Sequence, residues 1–305
     1  MSRDQAVEPS RLHCDVDRSS VRDTLLCRFD AFIARKSRAA VAAELPPYNT
    51  ELERPLDGML AIGSPWTERL FDGQFFLSPM PQRLPACHLV FVQSLDGNTG
   101  ARNPQTLGGG ETDKHLIYEG LARVSADAVM AGSSTVRGGS LVFSVWHPEL
   151  VRLRQTLRQP RHPIQIIATR HGVPIDRELL YNIPELRVVL LTAPGGIAVM
   201  REALAERPWI TPIVVDSRHT LIAAFEQLRA MGVRRISAVG GRGLAAELID
   251  AGLVQDLYLT TSPVAGGELG TPMYSRPLDL QTVVRKRGTL HETGVVFEHL
   301  VLRPT

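Results

Sequence analysis

The chain has 305 residues, with 34 Lys and Arg against 32 Asp and Glu and a formal net charge of +2. With 44% hydrophobic and 22% charged residues it reads as a soluble globular protein of one large or two small domains. So even a charge balance argues against a dedicated nucleic-acid or membrane surface. Cys14, Cys27 and Cys87 form no CxxC pair and no metal-ligand spacing with histidine, which predicts a reducing cytoplasm and no metal site.

Residues 1–84 differ in texture from the rest. Leu25, Leu26, Phe29, Phe32 and Ile33 recur at helical spacing, predicting one or two helices over 21–43. A turn-rich tract follows, from Pro46-Pro47 to Pro81. Its aromatic residues Trp66, Phe71, Phe75 and Phe76 predict that it lies on the main domain or on a partner subunit, because a disordered tail would expose them.

From Cys87 the pattern is regular. Strands are predicted at 87–93, 126–132, 163–169, 186–192, 211–216, 236–239 and 257–262, with two further β-rich segments at 282–289 and 295–302. Helical stripes separate most of them. One starts at Thr112 and Asp113, read as its cap, and carries Leu116, Ile117 and Leu121; another carries Leu221, Ile222, Phe225 and Leu228. This alternation predicts an α/β domain over 85–305, with a mostly parallel sheet of about eight strands, helices on both faces and an antiparallel C-terminal hairpin.

Several chemistries are excluded by motif. The chain has no GxxxxGK[ST], HExxH or GxSxG, no zinc-deaminase HxE with PCxxC, and no strict GxGxxG. What remains is a set of polar or glycine-rich strand ends, where ligands bind in parallel sheets. They are Gln93 to Gly97, Gly132 to Thr135, Thr169-Arg170 and Gly240 to Gly243. Two glycine-rich helix starts suit a pyrophosphate, although glycine there also serves a plain tight turn.

Four stretches in this order resemble the reductase domain of the bifunctional riboflavin-biosynthesis proteins. They are VFVQSLDGNTG (90–100), LARVSADAVMAGSSTV (121–136), PIQIIATRHGVPID (163–176) and RISAVGGRGLAAELIDAGLVQDLYLTTSPVAGG (235–267). No counterpart of that family's deaminase domain is present in the chain. The resemblance implies a dihydrofolate-reductase-like fold, a homodimer joined through the C-terminal strands, and NADPH as cofactor. It also implies the reaction: hydride transfer to the ribose C1′ of a phosphoribosylaminopyrimidine such as 5-amino-6-(5-phosphoribosylamino)uracil. The alternatives are a reductase of a related pyrimidine or pterin, or a catalytically silent nucleotide-binding module of the same fold.

On the same resemblance Asp96 is the catalytic, substrate-side acid; its bland reading is an Asp-Gly turn. Ser94, Arg123 and Leu141 join Asp96 at the substrate, with Arg123 suited to a phosphate; as a helix-end arginine it could equally be solvated. Val92, Gly132, Ser134, Thr135, Gly240, Gly241, Arg242, Gly243 and Leu244 are expected at the cofactor, Thr135 also being a candidate helix cap. Thr169 and Arg170 are the candidates for the 2′-phosphate of NADPH, because a cation is needed there. The departures fall on the substrate half. Val239 replaces the family's glutamate before the glycine pair, 137–140 replaces its acidic loop, Phe143-Ser144 stands where a substrate arginine is expected, and Glu111-Thr112 replaces a tryptophan-threonine pair.

Overall fold

A ten-stranded mixed sheet runs through the computed structural model, which describes residues 18–101, 107–136, 141–289 and 294–303. The chain enters with one long helix, α1 (Arg18–Ala42), followed by β1 (Tyr48–Glu53), β2 (Leu60–Ile62), α2 (Pro65–Phe71) and β3 (Phe75–Leu77). The α/β repeat then begins with β4 (Ala86–Gln93) and α3, which starts as Gly110–Thr112 and widens into a π-helix over Asp113–Leu121. It continues through β5 (Ala128–Gly132), α4 (Ser133–Val136), α5 (Pro148–Thr156), β6 (Ile164–Thr169), β7 (Val188–Thr192), α6 (Pro194–Ala205) and β8 (Ile210–Val214). It closes with α7 (Arg218–Ala230), β9 (Arg235–Val239), α8 (Arg242–Asp250), β10 (Asp256–Thr261), β11 (Leu280–Gly288) and β12 (Val296–Leu302).

The strand order is β1-β11-β12-β10-β4-β9-β5-β6-β7-β8. From β10 to β8 all neighbours are parallel, whereas β12 pairs antiparallel with both β10 and β11. All nine strands expected after residue 85 are present. The chain steps outward from β4 to β8 and then returns to place β9 between β4 and β5. Right-handed crossovers therefore put the outward connections on one face and the returning helices on the other. Accordingly α3, α5 and α6 send Leu116, Leu150 and Met200 into one apolar cluster, while α7 and α8 send Phe225 and Leu248 into the second.

The tract before residue 85 lies on its own chain. Trp66, Phe71 and Phe75 are buried in the first cluster, Phe76 packs partly buried against it, and Phe32 of α1 meets Trp146 edge-on at 5.4 Å. Its strand β1 pairs antiparallel with β11 and is the tenth strand of the sheet. This corrects the expectation that the C-terminal strands offer free edges to a second copy: β11 has β1 on one side and β12 on the other. Side chains fix the pairing. Glu51 pairs with Arg285 at 2.9 Å and with Arg287, while Lys286, pointing the other way, is fully buried. Its Nζ donates to Thr50 Oγ1 at 2.8 Å and to Asp72 O at 2.9 Å, and pairs with Glu53 at 3.3 Å. The turn expected near His291 to Gly294 falls largely on 290–293, outside the described residues.

Candidate active site at the strand ends

Parallel strands β4, β9, β5 and β6 are adjacent, so their carboxyl ends form one continuous edge. This brings together Val92 and Ser94, Gly240 to Leu244, Gly132 to Thr135, and Thr169 with Arg170. Position β9 between β4 and β5 is also where the chain reverses direction across the sheet, and such a switch opens a crevice.

On the glycine side, Gly240 and Gly241 have φ of +73° and +83°, backbone that side chains with a Cβ rarely adopt. Gly241 caps α8 without any side-chain hydrogen bond, so the first N–H groups of that helix stay open toward an anion. A Cβ on Gly240 would stand 3.6 Å from Thr135 Oγ1, which joins the ends of β9 and β5 into one surface. Arg242 and Gly243 are exposed at the helix start, with Leu244 half-buried behind them. Ser134 is exposed and Gly132 half-buried at the end of β5. Thr169 spends its hydroxyl on Gly172 O at 2.9 Å and so shapes the turn, leaving Arg170 exposed and without an ion pair among the described residues. These groups fit a dinucleotide phosphate: unspent backbone donors, open glycine and two exposed arginines, Arg170 and Arg242.

The other side is built differently. Ser94 and Asn98 close a tight turn, Ser94 N–H donating to Asn98 O at 3.0 Å, and this turn holds Asp96 exposed with Oδ2 accepting from Gly266 N–H at 3.1 Å. Arg123 is 2% exposed; its Nη1 donates to Ser144 O at 3.0 Å and its Cζ lies 3.9 Å from the Tyr118 ring centroid. Nε and Nη2 of Arg123 find no partner among the described residues. Leu141 is half-buried against the first apolar cluster, beside 137–140, where the replaced acidic loop lies outside the described residues. Val239 is fully buried in that same cluster and offers no polar group.

Asp113 is a half-buried carboxyl close to the end of β4. Read as part of a helix cap with Thr112, it instead lies one turn inside α3, because the helix starts at Gly110. Thr112 hydroxyl donates to Pro46 O at 3.0 Å and ties the N-terminal tract down. Asp113 Oδ1 accepts from the hydroxyl of Thr260 on β10, and burial raises its carboxyl to about 7 against that hydrogen bond. The sequence signal was weak, since its partner is 147 residues away.

Comparison with known proteins decides the family. The model of the RibD C-terminal domain matches residues 85–296. The chain belongs to that family. Among curated proteins, the 2,5-diamino-6-ribosylamino-4(3H)-pyrimidinone 5′-phosphate reductase of Archaeoglobus fulgidus is 29% identical over 189 residues, 60% of this chain and 84% of that one. A pyrimidine reductase-like protein from Corynebacterium diphtheriae superposes with a TM-score of 0.61 and 21% identity over 72% of this chain and 93% of its own. RibD of Acinetobacter baumannii gives 0.57 and 17% over 73% of this chain, but this chain covers only 59% of it. The sheet and its antiparallel C-terminal group are thus the dihydrofolate-reductase-like fold of RibD reductase domains.

Proposed function

We propose that this RibD-family protein is an NADPH-dependent oxidoreductase of riboflavin biosynthesis that reduces the ribose of a phosphoribosylaminopyrimidine at C1′. The observation that carries the reading is the shared edge of β4, β9, β5 and β6, with the open N-terminus of α8 next to Thr135. The Archaeoglobus fulgidus relative bears the name of such a reductase, for a 2-amino-pyrimidinone. When bound, NADPH supplies the hydride.

The chain's own residues do the rest. Gly240 to Leu244, Gly132, Ser134 and Thr135 hold the pyrophosphate, Val92 meets the cofactor at the end of β4, and Thr169 turns Arg170 toward the 2′-phosphate. Asp96, fixed by Gly266 N–H, orients or protonates the sugar oxygen as the ring opens. Ser94 holds that turn, Leu141 lines the substrate side, and Arg123, whose Nε and Nη2 have no described partner, is the candidate for the substrate phosphate. The pyrimidine carries either an amino or an oxo group at C2.

The test is a panel assay that follows NADPH oxidation by the full chain with both phosphoribosylaminopyrimidines and with pterins. Oxidation only in the presence of a pyrimidine is expected; absence of nicotinamide nucleotide binding would overturn the proposal. A second reading, a silent nucleotide-binding module, is favoured by the buried Val239, and predicts NADPH binding without turnover across the panel. Homodimerisation belongs to the first reading. With β11 covered, the outer strands are β1 and β8, and sizing the protein in solution tests it. No helix among the described residues is long and apolar enough to cross a membrane.

A further inference from the structure

The N-terminal tract carries a buried phenol that the fold leaves unpaired. Tyr48 opens β1 opposite Gly288 of β11 and is 2% exposed. Phe71 and Phe297 hold its ring, with centroids at 6.3 Å and 6.4 Å. Its hydroxyl nevertheless makes no hydrogen bond among the described residues. A buried tyrosine hydroxyl ordinarily finds a partner, so this one is available to a ligand.

Tyr48 lines a cavity of about 220 Å³, together with Glu44 and Pro46 of the same tract, 109–112 at the start of α3 and Gly288. Both sides are clamped to the tract: Thr112 hydroxyl donates to Pro46 O, and Thr289 N–H to Pro47 O, each at 3.0 Å. The cavity adjoins the strand ends, because a Cβ on Gly109 would stand 3.2 Å from Val92 Cγ2 at the end of β4. Burial, and then the charge of Asp113 on α3, push the Tyr48 phenol well up, so it is a neutral donor at neutral pH. Pockets for drug-sized ligands run from about 300 Å³ upward, so this one suits a single ring rather than a whole nucleotide.

We propose that Tyr48 is a substrate-binding residue supplied by the tract outside the family model, its phenol donating a hydrogen bond to the 4-oxo group of the pyrimidine. The proposal rests on the reductase reading above and adds that residues before 85 complete the substrate site. Glu44 and Glu111, both exposed at the cavity, repel a phosphate, so the ring end of the substrate is the end that enters. A neutral phenol there needs an acceptor from the ligand, and a ring carbonyl is one. The 2-amino and 2-oxo rings share the 4-oxo group, so Tyr48 serves either. Its ring is already fixed by Phe71 and Phe297, so little side-chain freedom is lost on binding.

Tyr48→Phe in the full chain removes one oxygen and keeps the packed ring. A purely structural role predicts unchanged substrate affinity, because the fold loses no described hydrogen bond. Calorimetry with the 2-amino and 2-oxo phosphoribosylaminopyrimidines is expected instead to show each binding about tenfold more weakly to the variant. The urea midpoint should not fall, and NADPH affinity should stay within about twofold of wild type. Equal affinity of variant and wild type for the pyrimidines, a matching loss of NADPH affinity, or wild-type binding of neither pyrimidine overturns the proposal. Adding NADPH separates the two readings. Binding that is weakened in the variant, but without oxidation by either protein, sinks the reductase reading alone. Oxidation with the same KM for the pyrimidine in Tyr48→Phe and wild type sinks the Tyr48 assignment alone.

Discussion

Burial raises the Asp113 carboxyl from the usual 3.8 to about 7, and that has a cost in the folded state. A carboxyl whose folded value is raised contributes stability that is complete below pH 4 and is lost as the pH rises through 7. His88 and His162 act in the opposite sense. Burial lowers both to about 4, so each loses stability as the pH falls from 6.5 toward 4. Subtracting an Asp113→Asn curve isolates the carboxyl. Urea midpoints should show the variant gaining from nothing near pH 4 to about 1–3 kcal/mol above pH 8, the lower end reflecting the solvent-facing part of the group. Asp96, by contrast, is exposed and held only through Gly266. Asp96→Asn should leave stability within about 0.5 kcal/mol of wild type and lower kcat for the pyrimidine by about 10²-fold or more, the order a positioned acid contributes. Unchanged kcat would remove Asp96 from the chemistry.

At the scale of elements, α8 and α7 show two ways of starting a helix. Ser217 closes α7 with a capping box, its hydroxyl accepting from Thr220 N–H while Thr220 Oγ1 accepts from Ser217 N–H at 2.9 Å. This box satisfies the Ser217 and Thr220 N–H groups, and Ser217→Ala should cost about 1 kcal/mol without altering cofactor binding. Gly241 starts α8 with no side chain to close it. Gly241→Ala has room, since the new Cβ would lie 3.9 Å from Leu244 Cβ, but the φ of +83° strains it. That variant should lose about 1 kcal/mol of stability and raise the KM for NADPH several-fold, with the larger effect on KM. Equal cofactor affinity in Gly241→Ala and wild type would place the pyrophosphate elsewhere.

Considered whole, the molecule is closed by the tract the family model does not cover. Strand β1, the aromatic residues of α2 and β3, and Ser78, whose hydroxyl donates to the buried Asp256 at 2.6 Å, all pack onto the sheet from the N-terminal side. We propose that 1–84 is sequence added to a reductase domain over 85–305. Removing residues 1–84 would bare the edge of β11, an apolar face, and a lysine whose partners lie in the removed tract. A chain beginning at Pro85 should therefore elute as aggregate and bind a hydrophobic dye; a stable, active shorter protein would show the tract to be dispensable. Lys286→Ala in the full chain makes the same point more gently, with an expected loss of about 3 kcal/mol. By itself the sequence determined the α/β repeat, the antiparallel close and the glycine-rich strand ends, because these follow from periodicity and turn chemistry within short stretches. Only the tertiary structure decided that β1 covers β11 and that Asp113 meets Thr260, since pairing at an edge and contact across 147 residues depend on which strands the fold makes neighbours.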